Sequence, residues 1–200
     1  MCNYLGECLD VDAGLGLLLE RLEELGELDN TLVVVSGDNG IPGFPRGKCN
    51  LYNMGCEVAL AARWPGHIIE GRTVDDFVNL MDLAPTLLEA AGLEPHNDMT
   101  ARSLLDVLTS PGSGQVDVQR TFVVTGREGH VGNAHPGNLP YPQCAICSKD
   151  FLYIRNFAAG QWAIRKVWTT LALNHLLSTI YVTTRALPML TWMRAQPKPG

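Results

Sequence analysis

Apolar residues in the first part of the chain change from a helical to a strand spacing, and that change predicts the architecture. Between Cys8 and Leu25 they fall at Val11, Leu15, Leu18, Leu19, Leu22 and Leu25, three- and four-residue steps that place one apolar stripe on a helix. Asp10 and Asp12 stand near its expected start, where negative charge suits the helix dipole, and Gly26 is its expected stop. After a short link, Val33, Val34 and Val35 lie between Asn30 and Gly37 as an uninterrupted β-branched run. This is the pattern of a short strand buried on both faces, as parallel strands are. A helix feeding such a strand is a unit of a doubly wound α/β sheet.

Val58 to Arg63 is a second apolar strand, closed by Trp64-Pro65-Gly66 because proline denies the ladder a donor. Leu83 to Ala91 reads as a helix with Asp82 as its amino cap, Pro85 tolerated in the first turn and Gly92 as the stop. Thr100 to Leu108 is a short element, Gly112 and Gly114 mark a linker, and a new unit begins near Arg120. Thr121 to Thr125, Gln143 to Cys147 and Phe151 to Asn156 read as strands, the last two joined by a turn at Ser148-Lys149-Asp150. Strands that follow one another without helices favour a small antiparallel sheet. The expected organisation is an α/β domain over 1–115, a small antiparallel subdomain over 116–160 and an atypical apolar tail over 161–200. In the tail, Val167 to Leu190 is interrupted by Asn174, His175, Arg185 and Pro188, which fits a plain helix or a frameshifted tail better than a membrane span.

Two hundred residues with 46% hydrophobic content suffice for a core. A net charge of −6 argues against nucleic acid, which is held by a basic face. It leaves room for a small anionic ligand, because Arg46, Lys48 and Arg127 supply cations locally. The six cysteines are too sparse for a disulfide framework. Cys144-Ala-Ile-Cys147 has redox or half-zinc spacing, but it lies on an apolar strand and no second pair or suitably spaced histidine follows it. Cys49 and Cys56 read as packing residues. No secretory leader is expected before Asp10.

The chemistry concentrates in Thr31 to Lys48, where the first strand runs into a loop of oxygen ligands and then a cation. Asp38 and Asn39 sit at the carboxyl end of the strand, where open α/β sheets place their ligands. Taken alone, Ser36-Gly-Asp-Asn-Gly40 could equally be an Asx turn. Its carboxylate and amide oxygens are hard ligands that suit calcium or magnesium rather than zinc. Further on come Gly47-Lys48, NLYNMG at Asn50 to Gly55, RWPG at Arg63 to Gly66 and LMDLAPTLLEAAG at Leu80 to Gly92.

In this order and spacing the motifs resemble the second half of the sulfatase family, in the alkaline-phosphatase-like superfamily, over about Tyr4 to Phe157. DNGIPGFPRGKCNLYN, GREGHVGNAHPGNLPYPQ and KDFLYIRNF resemble most its heparan N-sulfatase branch, the N-sulphoglucosamine sulphohydrolase-like proteins. The resemblance implies a partial doubly wound sulfatase domain with a small C-terminal β subdomain. It implies Ca²⁺, or Mg²⁺, held by Asp38 and Asn39, with Lys48 as the catalytic cation on the sulfate and Arg46 as a second candidate. Arg127 and Glu128 would contact the sugar, and His130 would move protons near neutral pH.

The substrate implied is a sulfate ester or an N-sulfated glucosamine, with a homodimer left open and a periplasmic, extracellular or lysosomal setting. Family members use a formylglycine made from Cys or Ser in a C/S-x-P/A-x-R motif, and no cysteine or serine of this chain stands in one. The family's acidic ligand pair is also missing, so the chain reads as a C-terminal portion, expected to be inactive and poorly soluble alone. Two alternatives stand beside this reading: another alkaline-phosphatase-like hydrolase of phosphoryl or phosphodiester groups, and a non-catalytic remnant that binds sulfated glycans.

Overall fold

The computed structural model describes residues 2–128, 140–158 and 189–190. Helix α1 (Cys2–Glu24) leads to strand β1 (Val33–Ser36), a single helical turn α2 (Asn53–Cys56) and strand β2 (Leu60–Arg63). Strand β3 (Thr73–Val74), a 3₁₀ turn (Leu80–Asp82), helix α3 (Leu83–Ala90) and helix α4 (Leu105–Thr109) follow. Strands β4 (Phe122–Arg127), β5 (Gln143–Ser148) and β6 (Leu152–Asn156) form an antiparallel sheet in that order. Strand β7 (Met189–Leu190) pairs antiparallel with β3. The remainder of the tail lies outside the described residues, and no described helix is long and apolar enough to cross a membrane.

The architecture is α/β, but the first strand differs from its expected setting. β1 pairs antiparallel with β2, Val34 facing Ala62 and Ser36 facing Leu60, and its three valines are half-buried rather than covered on both faces. Among the described residues this is a two-stranded ribbon, and Val34 is its valine packed against the main core. The helix before it starts at Cys2, so Asp10 and Asp12 fall well inside α1 rather than near its start. Its stripe is only partly covered: Leu15, Leu19 and Leu22 are half-buried, while Leu9, Val11, Leu18 and Leu25 are exposed. Gly26 ends the helix with φ +71°, the left-handed conformation that favours glycine.

The main core gathers Leu60, Ala62, Ile68, Val74, Leu104, Val107 and Leu108, with Val34, Trp64 and Leu83 packed against it. Leu104 and Leu108 are fully buried, and truncating either to alanine would cost roughly 2–5 kcal/mol. A second, smaller core of Leu51, Ala145 and Leu152 joins the inner face of the β4–β5–β6 sheet to the loop that follows β1.

Asp82 stands at the first turn of α3, but its side chain does not cap that helix. It accepts from the Asn79 N–H at 3.1 Å, the Arg102 N–H at 3.1 Å and the Arg120 guanidinium at 2.8 Å. The reason is burial. Arg120 is almost fully enclosed and needs a carboxylate, and its other amino group donates to the carbonyls of Arg102 and Ser103. Asp76 fixes the next stretch by accepting from the Val116 and Asp117 N–H groups at 2.8 and 2.6 Å. Together these carboxylates set the path of the chain into β4.

A candidate metal and anion loop at the end of the first strand

The loop begins where β1 leaves its ribbon. The Gly37 N–H still donates to Ala59 O at 3.1 Å, one step past the end of β1, so the direction in which the next residues emerge is fixed. Asp38 follows exposed and Asn39 half-buried, adjacent oxygen donors at the strand's carboxyl end. Gly40 is then buried, and its N–H donates to Gly55 O at 2.9 Å, which closes the base of the loop. The closure leaves no room for side chains. A Cβ on Gly40 would lie 1.7 Å from Met54 O, one on Gly47 2.3 Å from Ile41 O, and one on Gly55 2.2 Å from Asn50 O.

Inside this frame the chain doubles back. The Lys48 N–H donates to Ile41 O at 3.1 Å, and the Asn50 side-chain amide donates to the carbonyls of Gly47 and Lys48, both at 3.3 Å. The return brings the backbone of Lys48 against Ile41, close along the chain to Asp38, while Lys48 itself stays exposed. Arg46 and Cys49, on either side of Lys48, have φ values of 62° and 70°, a left-handed conformation that side-chain-bearing residues rarely adopt. Such strain persists only where surrounding contacts over-determine the backbone. The Arg46 guanidinium lies over the Tyr52 ring, 4.8 Å from its centroid.

The small sheet reaches this loop from below. Arg127 is the last residue of β4, and its guanidinium donates to the Cys49 carbonyl. Nearby, burial pushes the Cys56 thiol up, against the opposing pull of a hydrogen bond with Thr125 and of the Arg127 charge. Cys56 donates to Asn50 O at 3.3 Å, and Cys8, Cys49, Cys56, Cys144 and Cys147 are all free thiols.

Of the residues singled out from sequence, Asp38, Asn39, Arg46 and Lys48 thus share one loop, and Arg127 touches that loop from the sheet. Glu128 is exposed at the end of β4, its carbonyl accepting from the Tyr141 N–H at 2.9 Å, and His130 lies outside the described residues. Sequence reasoning missed Asn50, which holds the Lys48 backbone, and the three loop glycines. The glycine spacing in DNG, GK and NMG was the available signal.

Asp38 and Asn39 fit a hard divalent cation by donor chemistry, but two oxygens are a fraction of the six to eight that calcium takes. No cluster of three or more potential metal ligands occurs among the described residues.

Fold and loop together define an α/β protein whose polar loop stands at a strand end, buttressed by an antiparallel sheet. The sulfatase family profile matches residues 1–93, so this part of the chain carries a sulfatase-family segment. It is 37% identical over 120 residues to N-acetylglucosamine-6-O-sulfatase of Bacteroides thetaiotaomicron, covering 58% of this chain and 22% of that protein. It is 31% identical over 157 residues to human N-sulphoglucosamine sulphohydrolase, covering 73% of this chain and 29% of that one. A structure solved in complex with its substrate D-glucosamine-2-N,6-O-disulfate superposes with a TM-score of 0.55 at 25% identity, over 74% of this chain and 29% of the other. The chain therefore spans less than a third of the length of these relatives.

Proposed function

We propose that this chain contributes the metal- and sulfate-binding loop of a sulfatase that acts on sulfate esters or N-sulfate groups of glucosamine-type sugars. The carrying observation is the doubled-back loop, which holds Asp38 and Asn39 at the end of β1 and pins the Lys48 backbone to Ile41. The two relatives named for glucosamine sulfates, and the structure bound to a disulfated glucosamine, support the substrate class. Asp38 and Asn39 would hold Ca²⁺, with Mg²⁺ as the smaller alternative. When bound, the ion supplies positive charge that stabilises the sulfuryl oxygens. Lys48 would present its ammonium to the same group as a compact point charge, the electrostatic help that charged group transfer requires. Arg46 and Glu128 are assigned to substrate binding and His130 to proton transfer.

The 200 residues contain no formylglycine motif, so the activity assigned to them is binding rather than turnover. That same observation favours the second reading, a glycan-binding role without catalysis. The test is a calcium titration of the isotopically labelled chain followed by amide chemical shifts. Shifts confined to residues around Asp38 and Asn39, and lost in Asp38→Ala, are expected; a spectrum that calcium does not perturb would overturn the assignment.

A further inference from the structure

The geometry points to Arg127 as a positioning residue that sets the backbone bearing Lys48 from beneath, not as a group that contacts the sugar. The inference rests on the sulfate-binding reading above and deepens it. Arg127 closes β4, whose half-buried positions Val123, Thr125 and Arg127 alternate with exposed Phe122 and Val124. Alternation along a strand therefore turns the guanidinium to the same face as Ala145 and Leu152, the face packed on Leu51 of the loop. There it donates to the carbonyl of Cys49, across 78 residues of sequence.

Cys49 is one of the two left-handed residues that bracket Lys48. A non-glycine residue relaxes out of that conformation unless its peptide planes are held. The plane before it carries the Lys48 carbonyl, which Asn50 holds. The plane after it carries the Cys49 carbonyl, held by Arg127. Lys48 is thus fixed on its amino side through Ile41 and on its carboxyl side through Asn50 and, one residue on, Arg127. Among the described residues the Arg127 Nε is buried with no hydrogen-bond partner, which places this part of the side chain inside the contact rather than in an open cleft.

A double-mutant cycle on the 200-residue chain separates positioning from direct contact. D-Glucosamine N-sulfate is titrated calorimetrically, at saturating calcium, into wild type, Arg127→Met, Lys48→Met and the double variant, with thermal unfolding run alongside. Lys48→Met is expected to weaken binding about tenfold, Arg127→Met by a similar factor, and the double variant no more than Lys48→Met alone, because Arg127 acts through Lys48. Arg127→Lys, which can still donate to the Cys49 carbonyl, should recover most of the loss, and Arg127→Leu, which cannot donate, replaces Arg127→Met in the cycle if the latter fails to fold.

Amide hydrogen exchange gives a readout independent of ligand. Protection of the Lys48 and Asn50 N–H groups should fall in Arg127→Met, return in Arg127→Lys, and leave α3 unchanged. Multiplied losses in the double variant would make Arg127 a direct ligand, and unchanged exchange at Lys48 would remove its hold on the loop; either result overturns the proposal. Binding unaffected by Lys48→Met would instead overturn the sulfate-site reading on which the proposal stands.

Discussion

Glycine does the shaping work in the candidate loop by the absence of a side chain. Gly55 faces two carbonyls, Asn50 O and Gly47 O, at 2.2 and 2.6 Å from where a Cβ would sit, and both are backbone atoms that cannot swing away. Gly55→Ala is therefore expected to destabilise the chain by roughly 3 kcal/mol and to open the loop, as overpacking of a close backbone contact does. Chemical denaturation would measure it, and a loss below about 0.5 kcal/mol would contradict the close packing of the loop. The residues that invite functional assignment divide differently once placed. Asp38 and Lys48 are exposed, whereas Arg127 is half-buried and engaged with the Cys49 carbonyl. Nothing in the string Gly126-Arg127-Glu128-Gly129-His130 foretells the Arg127 contact, because the Cys49 carbonyl to which it donates lies 78 positions away.

At the level of elements, most of the local pattern was legible, as was the antiparallel pairing of β4, β5 and β6, but the pairing of β1 and of β3 was not. Strand-like runs from Thr121 to Asn156 became β4, β5 and β6 within a residue or two, because two-residue alternation is a local property. The direction of β1 was not local: a valine run is compatible with parallel or antiparallel neighbours, and β2 supplied an antiparallel one. Asp82 was read from its position as a helix cap, yet Arg120, distant in sequence and nearly fully enclosed, claims the carboxylate at 2.8 Å. That pair links the start of α3 to the approach of β4, and so to Arg127. Arg120→Met should leave the Asp82 carboxylate buried without its countercharge, at a cost of about 3–5 kcal/mol. Thermal and chemical unfolding test this, with the double variant Asp82→Leu/Arg120→Met expected to recover part of the loss. A single variant as stable as wild type would show that the pair does not anchor the sheet.

On the scale of the molecule, the described residues leave much apolar surface exposed. Leu9 and Leu17 on α1 are 71% and 69% exposed, and Val124, Ile146 and Tyr153 line up across the outer face of the sheet. Apolar surface of this extent favours association. Sedimentation velocity is expected to show concentration-dependent self-association of the chain, and a single monomeric species across the concentration range would contradict that expectation.

Under the proposed function, one loop, carried by β1 and braced by the small sheet, binds a sulfated glucosamine with the help of a hard cation. The most direct test is calorimetric titration of D-glucosamine N-sulfate into the chain with calcium and again with chelator. Saturable binding that requires calcium, and that weakens about tenfold or more in both Asp38→Ala and Lys48→Met, is the predicted result. Binding indifferent to calcium and to both substitutions, or none at all by a folded chain, would contradict it.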